Sequence, residues 1–378
     1  MSVLDRLRSL DPVVVGLTGT LLVIGLLMLF SATVAVGVQR AGDSLYFVKS
    51  QLIKGLIPGI FVFLLAALID YRVWKKWALG LLILSIILLL LVYIPGIGIT
   101  LNGARGWIRL AGFQFQPSEL VKDTFIVYLA AWLAGRKADE AHKVETGLVP
   151  FLFALGSVMF LLIMQPDTGS MMVLVGTSLT MYFLSGAPIS WFVLLSALGS
   201  GLLALLIKSS PYRAARFMVF LRPELDPKGI GYHINQAVLA IGSGGWLGLG
   251  YGQSRQKYLY LPTVESDSII AIMAEELGFL AICLFLALFG ALVWRCFNIA
   301  RESKDPFGSY LAAGFGMMLA IQAVMNIGSM TGLLPITGVT LPFMSHGGTA
   351  MVMLLGAMGL VAGIPGRQIH PGHSRSRV

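Results

Sequence analysis

Charge is scarce in this chain. Of its 378 residues only 12% are Asp, Glu, Lys or Arg, against roughly 25% in soluble domains, and so small a share excludes water as the main solvent. Cysteine is scarcer still: Cys283 and Cys296 are the two present. They fall in one apolar run, about 20 Å apart along a helix, beyond disulfide reach, so neither a disulfide framework nor a metal cluster is implied. The five histidines, His142, His233, His346, His370 and His373, have no ligand spacing and give no metal motif. No glycine run ends in the GK[ST] of a phosphate loop or sits in a strand-to-helix dinucleotide setting. No internal repeat is visible, which withholds support from an inverted-repeat transporter. Acidic residues are outnumbered, 18 against 27 basic, for a net charge of +9. The basic residues are spread over short connections and are not interleaved with aromatics on one stripe. This excludes a nucleic-acid partner and favours lipid headgroups and anionic lipid-linked molecules.

Apolar sequence fills the space that charge leaves. Hydrophobic residues make up 57% of the chain, mean hydropathy is +0.83, and runs of about 20 apolar residues, enough to cross a 30 Å hydrocarbon core, recur. The reading is an all-α polytopic membrane protein of about ten spans, at 12–35, 52–69, 77–99, 117–135, 147–165, 170–186, 189–208, 268–294, 308–330 and 342–364. Val13 to Val36 exceeds a signal-peptide core and reads as a retained first span. Met171 to Ile207 is too long for one helix, and Ser185-Gly186-Ala187-Pro188 marks the break. Arg6, Arg8, Arg72, Lys75, Lys76, Arg136, Lys137, Lys143, Arg295, Arg301, Lys304 and Arg367 then share one side, which the positive-inside rule makes cytoplasmic, with both termini. The expected organisation is a single transmembrane domain over 1–365 and a basic cytoplasmic tail over 366–378. Three outward segments are richer than turns need: about 100–118, Gln165 to Ser170, and a long loop of about 209–266 between the seventh and eighth helices.

The polar residues of those segments form four clusters. In LPTVESDSIIAIMAEELG, Leu261 to Gly278, Ser266 is placed to cap a helix, Asp267 to sit in its first turn, and Glu275 and Glu276 to lie deeper among apolar residues. Carboxylates inside a span are functional-site hypotheses by default, although capping for Asp267 and structural pairing for the two glutamates remain open. In NGARGWIRLAGFQFQPSELVKD, Asn102 to Asp123, Pro117 suits a first helical turn, and Glu119 and Lys122 share a face at i,i+3 as an ion pair or as part of a site. Arg105 and Arg109 offer donors to an anion, and Trp107 offers a stacking face or an interfacial anchor. The glycine-rich run from Ala240 to Gly252 with Arg255 and Lys257 suits either a phosphate or tight re-entrant packing. Asn326 to Ala350 is a broken connection of the kind that persists only where protein buries it or a wet cavity meets it.

In order along the chain, NGARGW, FQPSE with Lys122, QPDTG, GYHINQ before AIGSGG, GxGxSxQK, LP before Asp267 with AEELG, and GLLPITGVTLPF-S-GG resemble the SEDS family, which includes FtsW and RodA. The resemblance implies a ten-helix peptidoglycan glycosyltransferase in the cytoplasmic membrane, polymerising lipid II at its outer face into undecaprenyl-linked glycan beside a class B penicillin-binding protein. It assigns the essential aspartate to Asp267 and family positions to Arg105, Trp107, Glu119 and Lys122. Arg213, Arg216 and Lys257 join these as cations for the substrate's diphosphate, and Asp167, Glu275, Glu276 and His346 as supporting residues. The resemblance assigns no definite cofactor, and a divalent cation is a candidate to share the diphosphate charge. Thr263, Glu265 and Ser268 depart from the family's usual glutamate, histidine and phenylalanine, as does His346 from tyrosine and Thr337 from the lysine of some FtsW proteins. GxGxSxQK and LPF-S-GG lean to the FtsW branch, the short N-terminal region to RodA. A lipid II flippase and a noncatalytic division scaffold are the competing expectations.

Overall fold

The computed structural model describes residues 3–101, 104–110, 113–137, 140, 143–209, 211–226 and 229–368. A short helix α1 (Val3–Arg8) leads into α2 (Pro12–Ala41), whose Asp11 cap accepts from Val14 N at 2.9 Å. The second span is compound: α3 (Tyr46–Gln51) passes through a wide turn, Leu52–Leu56, into α4 (Ile57–Leu68). The wide turn falls where Pro58 lacks the N–H an unbroken ladder needs. α5 (Tyr71–Leu91) starts at Asp70, which caps Arg72 N. The third span therefore lies over 71–91 and not 77–99, because Lys75 and Lys76 ride on the helix as exposed side chains.

Residues 98–115, expected as an outward segment, form a small antiparallel sheet, β1 (Gly98–Leu101), β2 (Ala104–Leu110) and β3 (Phe113–Phe115), with Trp107 opposite Ile99. Then come α6 (Pro117–Ala134), α7 (Val149–Met164, preceded by a wide turn over Val144–Leu148), α8 (Thr168–Leu184) and α9 (Ile189–Lys208), split as the Gly186-Ala187-Pro188 break requires. The long loop contains α10 (Pro211–Leu221) and α11 (Ile230–Ser243), and the bundle closes with α12 (Ile269–Glu302), α13 (Pro306–Met330) and α14 (Gly348–Gln368). The last span begins at 348 and not 342, since Phe343 takes φ 67° and residues 342–347 are non-helical. α14 continues to Gln368, past the expected domain limit at 365, and 369–378 lie outside the described residues. Cys283 and Cys296 are both free on α12.

Among the described residues seven continuous helical stretches are long and apolar enough to cross a bilayer, Tyr46–Leu68 and Val144–Met164 each counted through its wide turn, with α8 and the Ile189–Leu205 part of α9 as shorter apolar helices. α6 has 18 residues and carries Glu119, Lys122 and Asp123. Its opposite character shows in burial: Lys122 and Asp123 are buried, and α6 packs against α5, α8, α13 and α14 instead of facing lipid. α13 and α14 are central, whereas Phe153, Leu198 and Leu205 on α7 and α9 face outward, as lipid-facing apolar side chains do.

Polar rungs between α2 and α12 fix depth. Arg295 Nη2 donates to Asp11 at 2.6 Å at one end. Ser31 Oγ donates to Glu276 at 2.6 Å further along, and Arg40 pairs with Glu265 at 2.8 Å beyond that. Asp11 and Ser31 are about 30 Å apart along α2, one hydrocarbon thickness. Glu276 thus sits close to the far interface, and Asp267 lies beyond it.

Candidate functional site

The site is assembled at the end of the bundle opposite Asp11. α6 begins with Pro117 at N1, and Gln116 N donates to Thr349 Oγ1 at 3.3 Å, which ties its start to α14. On the next turn Lys122 Nζ donates to Glu119 Oε1 at 2.8 Å, as the i,i+3 spacing predicts, and Asp123 lies beside them. These three side chains border a narrow cleft of about 20 Å³ with Gln322 of α13 and Leu341 to Phe343 and Ser345 of the broken connection. A second cleft of about 60 Å³ is shared by Glu119, Lys122, Asp167, Thr337 and Thr340. Asp167 caps α8 through Oδ1, which accepts from Ser170 N at 3.0 Å. Its Oδ2, and Thr337 Oγ1 across the cleft, are buried without a hydrogen-bond partner among the described residues. Unsatisfied buried polar atoms are rare in folded proteins and mark a place where water or a ligand belongs.

Asp267 borders neither cleft, but its turn is tied through the backbone to residues that do. Asn326 Nδ2 donates both to Asp267 O at 2.9 Å and to Val339 O at 2.8 Å, and Ser345 Oγ donates to Ser266 O at 2.5 Å. Val339 and Ser345 are themselves cleft residues. The carboxylate accepts from Thr263 Oγ1 at 2.5 Å, while Thr263 holds φ 49°, a left-handed conformation that a β-branched residue adopts only when its surroundings enforce it. Ser268, and not Ser266, occupies the cap position of α12, so Asp267 precedes the helix instead of sitting in its first turn. The Ser268 hydroxyl donates to Pro262 O at 2.8 Å and meets His233 Nε2 of α11 at 2.6 Å, which closes the turn that presents Asp267.

Glu275, Glu276 and Lys257 are drawn elsewhere. Lys257 Nζ, buried, contacts Glu276 Oε1 at 2.9 Å, Gly252 O at 2.6 Å and Ser31 Oγ at 3.4 Å. Glu275 accepts from Ser254 Oγ, Arg255 N and Gln256 N. Lys257 therefore does not reach the clefts with a free ammonium, a correction to its expected place among substrate cations. The cause is a break in α12 at Gly278, which takes φ 78° and ψ 179°. The carbonyls of Glu275 and Glu276 lose their helical donors and accept from Leu249 N and Gly250 N, while Phe279 N and Leu280 N donate to Gly245 O and Trp246 O. The glycine-rich loop is spliced into the helix. A Cβ on Gly278 would lie 2.2 Å from Gly248 N, so both chains need glycine where they touch.

The remaining expected residues divide by environment. His346 Nε2 meets Ser50 Oγ at 3.2 Å, its backbone N–H donates to Glu265 O at 2.7 Å and its ring stands edge-on to Phe47. Burial pushes its pKa below the ordinary histidine value, with Lys54 adding to the fall and Glu265 opposing it. Trp107 is half-buried on β2 and borders neither cleft. Arg105 is on β2, and Arg213 and Arg216 are on α10; their side chains lie outside the described residues, as does His142. Among the described residues no group of three or more His, Cys, Asp or Glu is gathered to hold a metal. Sequence reasoning missed Asn326, Gln322 and Asp123. Only Asp123 carried a signal, its i,i+4 offset from Glu119.

Comparison with known proteins fits this arrangement. Residues 12–368 match the FtsW/RodA/SpoVE family model, described as cell cycle protein. Stage V sporulation protein E of Bacillus subtilis is 41% identical over 356 residues, covering 94% of this chain and 97% of that protein. A probable peptidoglycan glycosyltransferase FtsW of Trichlorobacter lovleyi is 39% identical over 364 residues, 95% of this chain and 94% of that one. Among solved structures, a chain from work on structural coordination of polymerization and crosslinking by a peptidoglycan synthase complex has TM-score 0.77 and 28% identity, over 96% of this chain and 99% of that one. The rod shape determining protein RodA of Thermus thermophilus has TM-score 0.69 and 27% identity, over 94% and 96%. With the family match running over nearly its whole length, the multi-pass membrane chain belongs to the FtsW/RodA/SpoVE, or SEDS, family.

Proposed function

We propose that this chain is a peptidoglycan glycosyltransferase that polymerises lipid II into glycan, with Asp267 as the base. The observation that carries the reading is the placement of the Asp267 turn, pinned through Asn326 and Ser345 to the walls of clefts that hold Lys122, Glu119 and Asp167. The reaction needs two things. A sugar hydroxyl must lose its proton as its oxygen bonds to the anomeric carbon of a second lipid-linked sugar, and the bond from that carbon to undecaprenyl diphosphate must break with the electron pair leaving on the diphosphate. Asp267 takes the proton. Lys122 is the described cation nearest the clefts that meets the developing charge, and Arg105, Arg213 and Arg216 are proposed to add to it. Glu119 holds the lysine, the free oxygen of Asp167 takes a sugar hydroxyl, and Trp107 offers a sugar a face. Clefts of about 20 and 60 Å³ are smaller than a disaccharide, so the 336–347 connection moves when substrate enters.

The orientation proposed is Asp267 outward and both termini cytoplasmic, supported by Arg72, Arg136, Arg295 and Arg301 at the Asp11 end. A single domain of 1–365 acts beside a class B penicillin-binding protein, a partnership supported by the likeness to a chain of a peptidoglycan synthase complex. Purified protein with that partner is expected to extend labelled lipid II into long glycan, and Asp267→Ala to yield none while retaining its thermal midpoint. Polymerisation by the alanine variant would overturn the mechanism. A flippase would instead move labelled lipid II between leaflets and make no glycan with or without the substitution.

A further inference from the structure

At the Asp11 end, on the far side of the bundle from Asp267, the ends of α6, α8 and α13 enclose a cleft of about 170 Å³ bordered by Trp132, Arg136, Lys137, Tyr182, Ser185 and Tyr310. Trp132 and Arg136 are one helical turn apart, and the guanidinium stacks on the indole with its carbon 3.7 Å from the ring centroid. Stacking occupies the face of the guanidinium and leaves its N–H edge for in-plane acceptors. Arg136 Nη1 is nonetheless buried without a hydrogen-bond partner among the described residues. A buried unmet N–H is costly, and more so on a charged group. Glu140 acts on Arg136 through space, yet no ion pair between them forms among the described residues. Burial lowers the Arg136 pKa from its ordinary value, with Glu140, Tyr182 and Tyr128 opposing the fall. Arginine stays cationic regardless, so the cleft holds a half-buried charge with one sealed N–H and no counterion among the described residues.

The rest of the lining says what the counterion is. Among the described residues no acidic side chain borders the cleft, and Lys137 adds a second positive charge at its exposed rim. The C-terminal carbonyls of α6 and α8, which would repel an anion, are answered by the N–H groups of Gly135 and Ser185. Trp132, Tyr182 and Tyr310 form the kind of aromatic belt found at headgroup depth. Arg72, Arg295 and Arg301 at the same end of the bundle place the cleft at the leaflet with the positive-inside loops. A soluble anion would compete there with a surface of lipid phosphates, whereas a lipid phosphate arrives already concentrated at the bilayer surface.

We infer that this cleft is a headgroup site for an anionic phospholipid, with Arg136 donating in-plane hydrogen bonds to the phosphodiester and Lys137 closing over it. The site is separate from the Asp267 clefts, so the inference stands or falls independently of the polymerase reading.

The test uses the full chain in phosphatidylcholine nanodiscs, with phosphatidylglycerol titrated and the thermal midpoint and retained lipid read by intrinsic fluorescence and native mass spectrometry. One phosphatidylglycerol is expected to be retained, with a saturable rise in midpoint. R136Q with K137Q should weaken the apparent affinity about tenfold or more, the loss of one or two charge-assisted hydrogen bonds. R136K, which keeps the charge and loses the fork, should weaken it by a smaller factor and carries the test if the double variant does not survive purification. R301Q, at an exposed arginine outside the cleft, should bind as the parent does. An unchanged titration curve in R136K and the double variant, or an equal rise with phosphatidylcholine alone, would overturn the site. An equal rise with sn-glycerol 3-phosphate would overturn the lipid as its source.

Discussion

Lys122 with Glu119 on α6, and Lys257 with Glu276 across the spliced loop and α12, form ion pairs of 2.8 and 2.9 Å, and each lysine is buried. Around the second pair the protein supplies a partner to each carboxylate oxygen of Glu275 and Glu276 and to the ammonium, although Gln256 Oε1 on the same loop is buried without one among the described residues. Glu275 and Glu276 receive Ser254, Arg255 N, Gln256 N, Lys257, Ser254 N and Ser31, and Lys257 adds Gly252 O. Around the first pair the protein leaves groups over: Asp167 Oδ2 and Thr337 Oγ1 face the same cleft unmet by any described residue. Ionisable residues inside a span therefore do not by themselves mark chemistry. The discriminating feature is an ionisable group, Asp167, that keeps an unused oxygen in the cleft that the lysine pair borders.

The sharpest way to break this comparison is to remove one lysine at a time. Lys257→Met strands a sealed carboxylate and is expected to cost about 3–5 kcal/mol, seen as loss of monodisperse protein and a lowered thermal midpoint. Adding Glu276→Leu should restore most of that loss, since a matched apolar pair can replace a buried ion pair. Lys122→Met leaves Glu119 beside a cleft that water can enter, and should cost only about 1–2 kcal/mol while lowering glycan synthesis about 100-fold. If the two lysine variants unfold alike, the distinction between closed and open pairs fails.

A smaller change tests what keeps the closed pair closed. Gly278→Ala forces a side chain into a positive-φ position against the loop backbone and is expected to cost about 2 kcal/mol, with faster amide exchange at Leu249 and Gly250 as those donors lose the Glu275 and Glu276 carbonyls. Thr263→Val acts on the open side. It removes the donor to Asp267 Oδ1 and should lower polymerisation about tenfold with little change in thermal midpoint, while Thr263→Ser recovers the rate.

The helices were legible in the sequence because a 30 Å slab imposes one length and one composition on every span. The Gly186-Ala187-Pro188 break was legible for the same reason: Met171 to Ile207 is too long to be one. The small sheet was not, since β1, β2 and β3 have 4, 7 and 3 residues and no clear alternation. Of the site, Asp267, Glu119 and Lys122 stood out as charges in apolar surroundings, whereas Asn326 and Gln322 are amides without charge or spacing to announce them. The glycine run suits a phosphate or tight packing by its sequence, and the N–H groups of Leu249 and Gly250 go to two carbonyls orphaned by Gly278, a tertiary fact that no local pattern encodes. Lys257 looked available because its partner lies 19 residues away on α12.

The least of the expected effects separates the two regions by pH. The closed cluster named above holds no histidine, whereas His346 lies on the broken connection beside Ser345, packed against Phe47 and Ser50. Burial holds its pKa below the ordinary value of about 6.5, so the unfolded chain binds a proton before the folded one does. Stability contributed by keeping this ring neutral is complete above that ordinary value and is lost as pH falls below it. The loss is limited because Glu265 favours the charged ring and offsets part of the burial and of Lys54. His346→Gln should keep a polar contact to Ser50 and flatten the fall in thermal midpoint between about pH 6.5 and pH 5. Lys257→Met with Glu276→Leu should leave that slope unchanged. An identical slope in His346→Gln would place the titrating group elsewhere and remove pH as a marker of the open side.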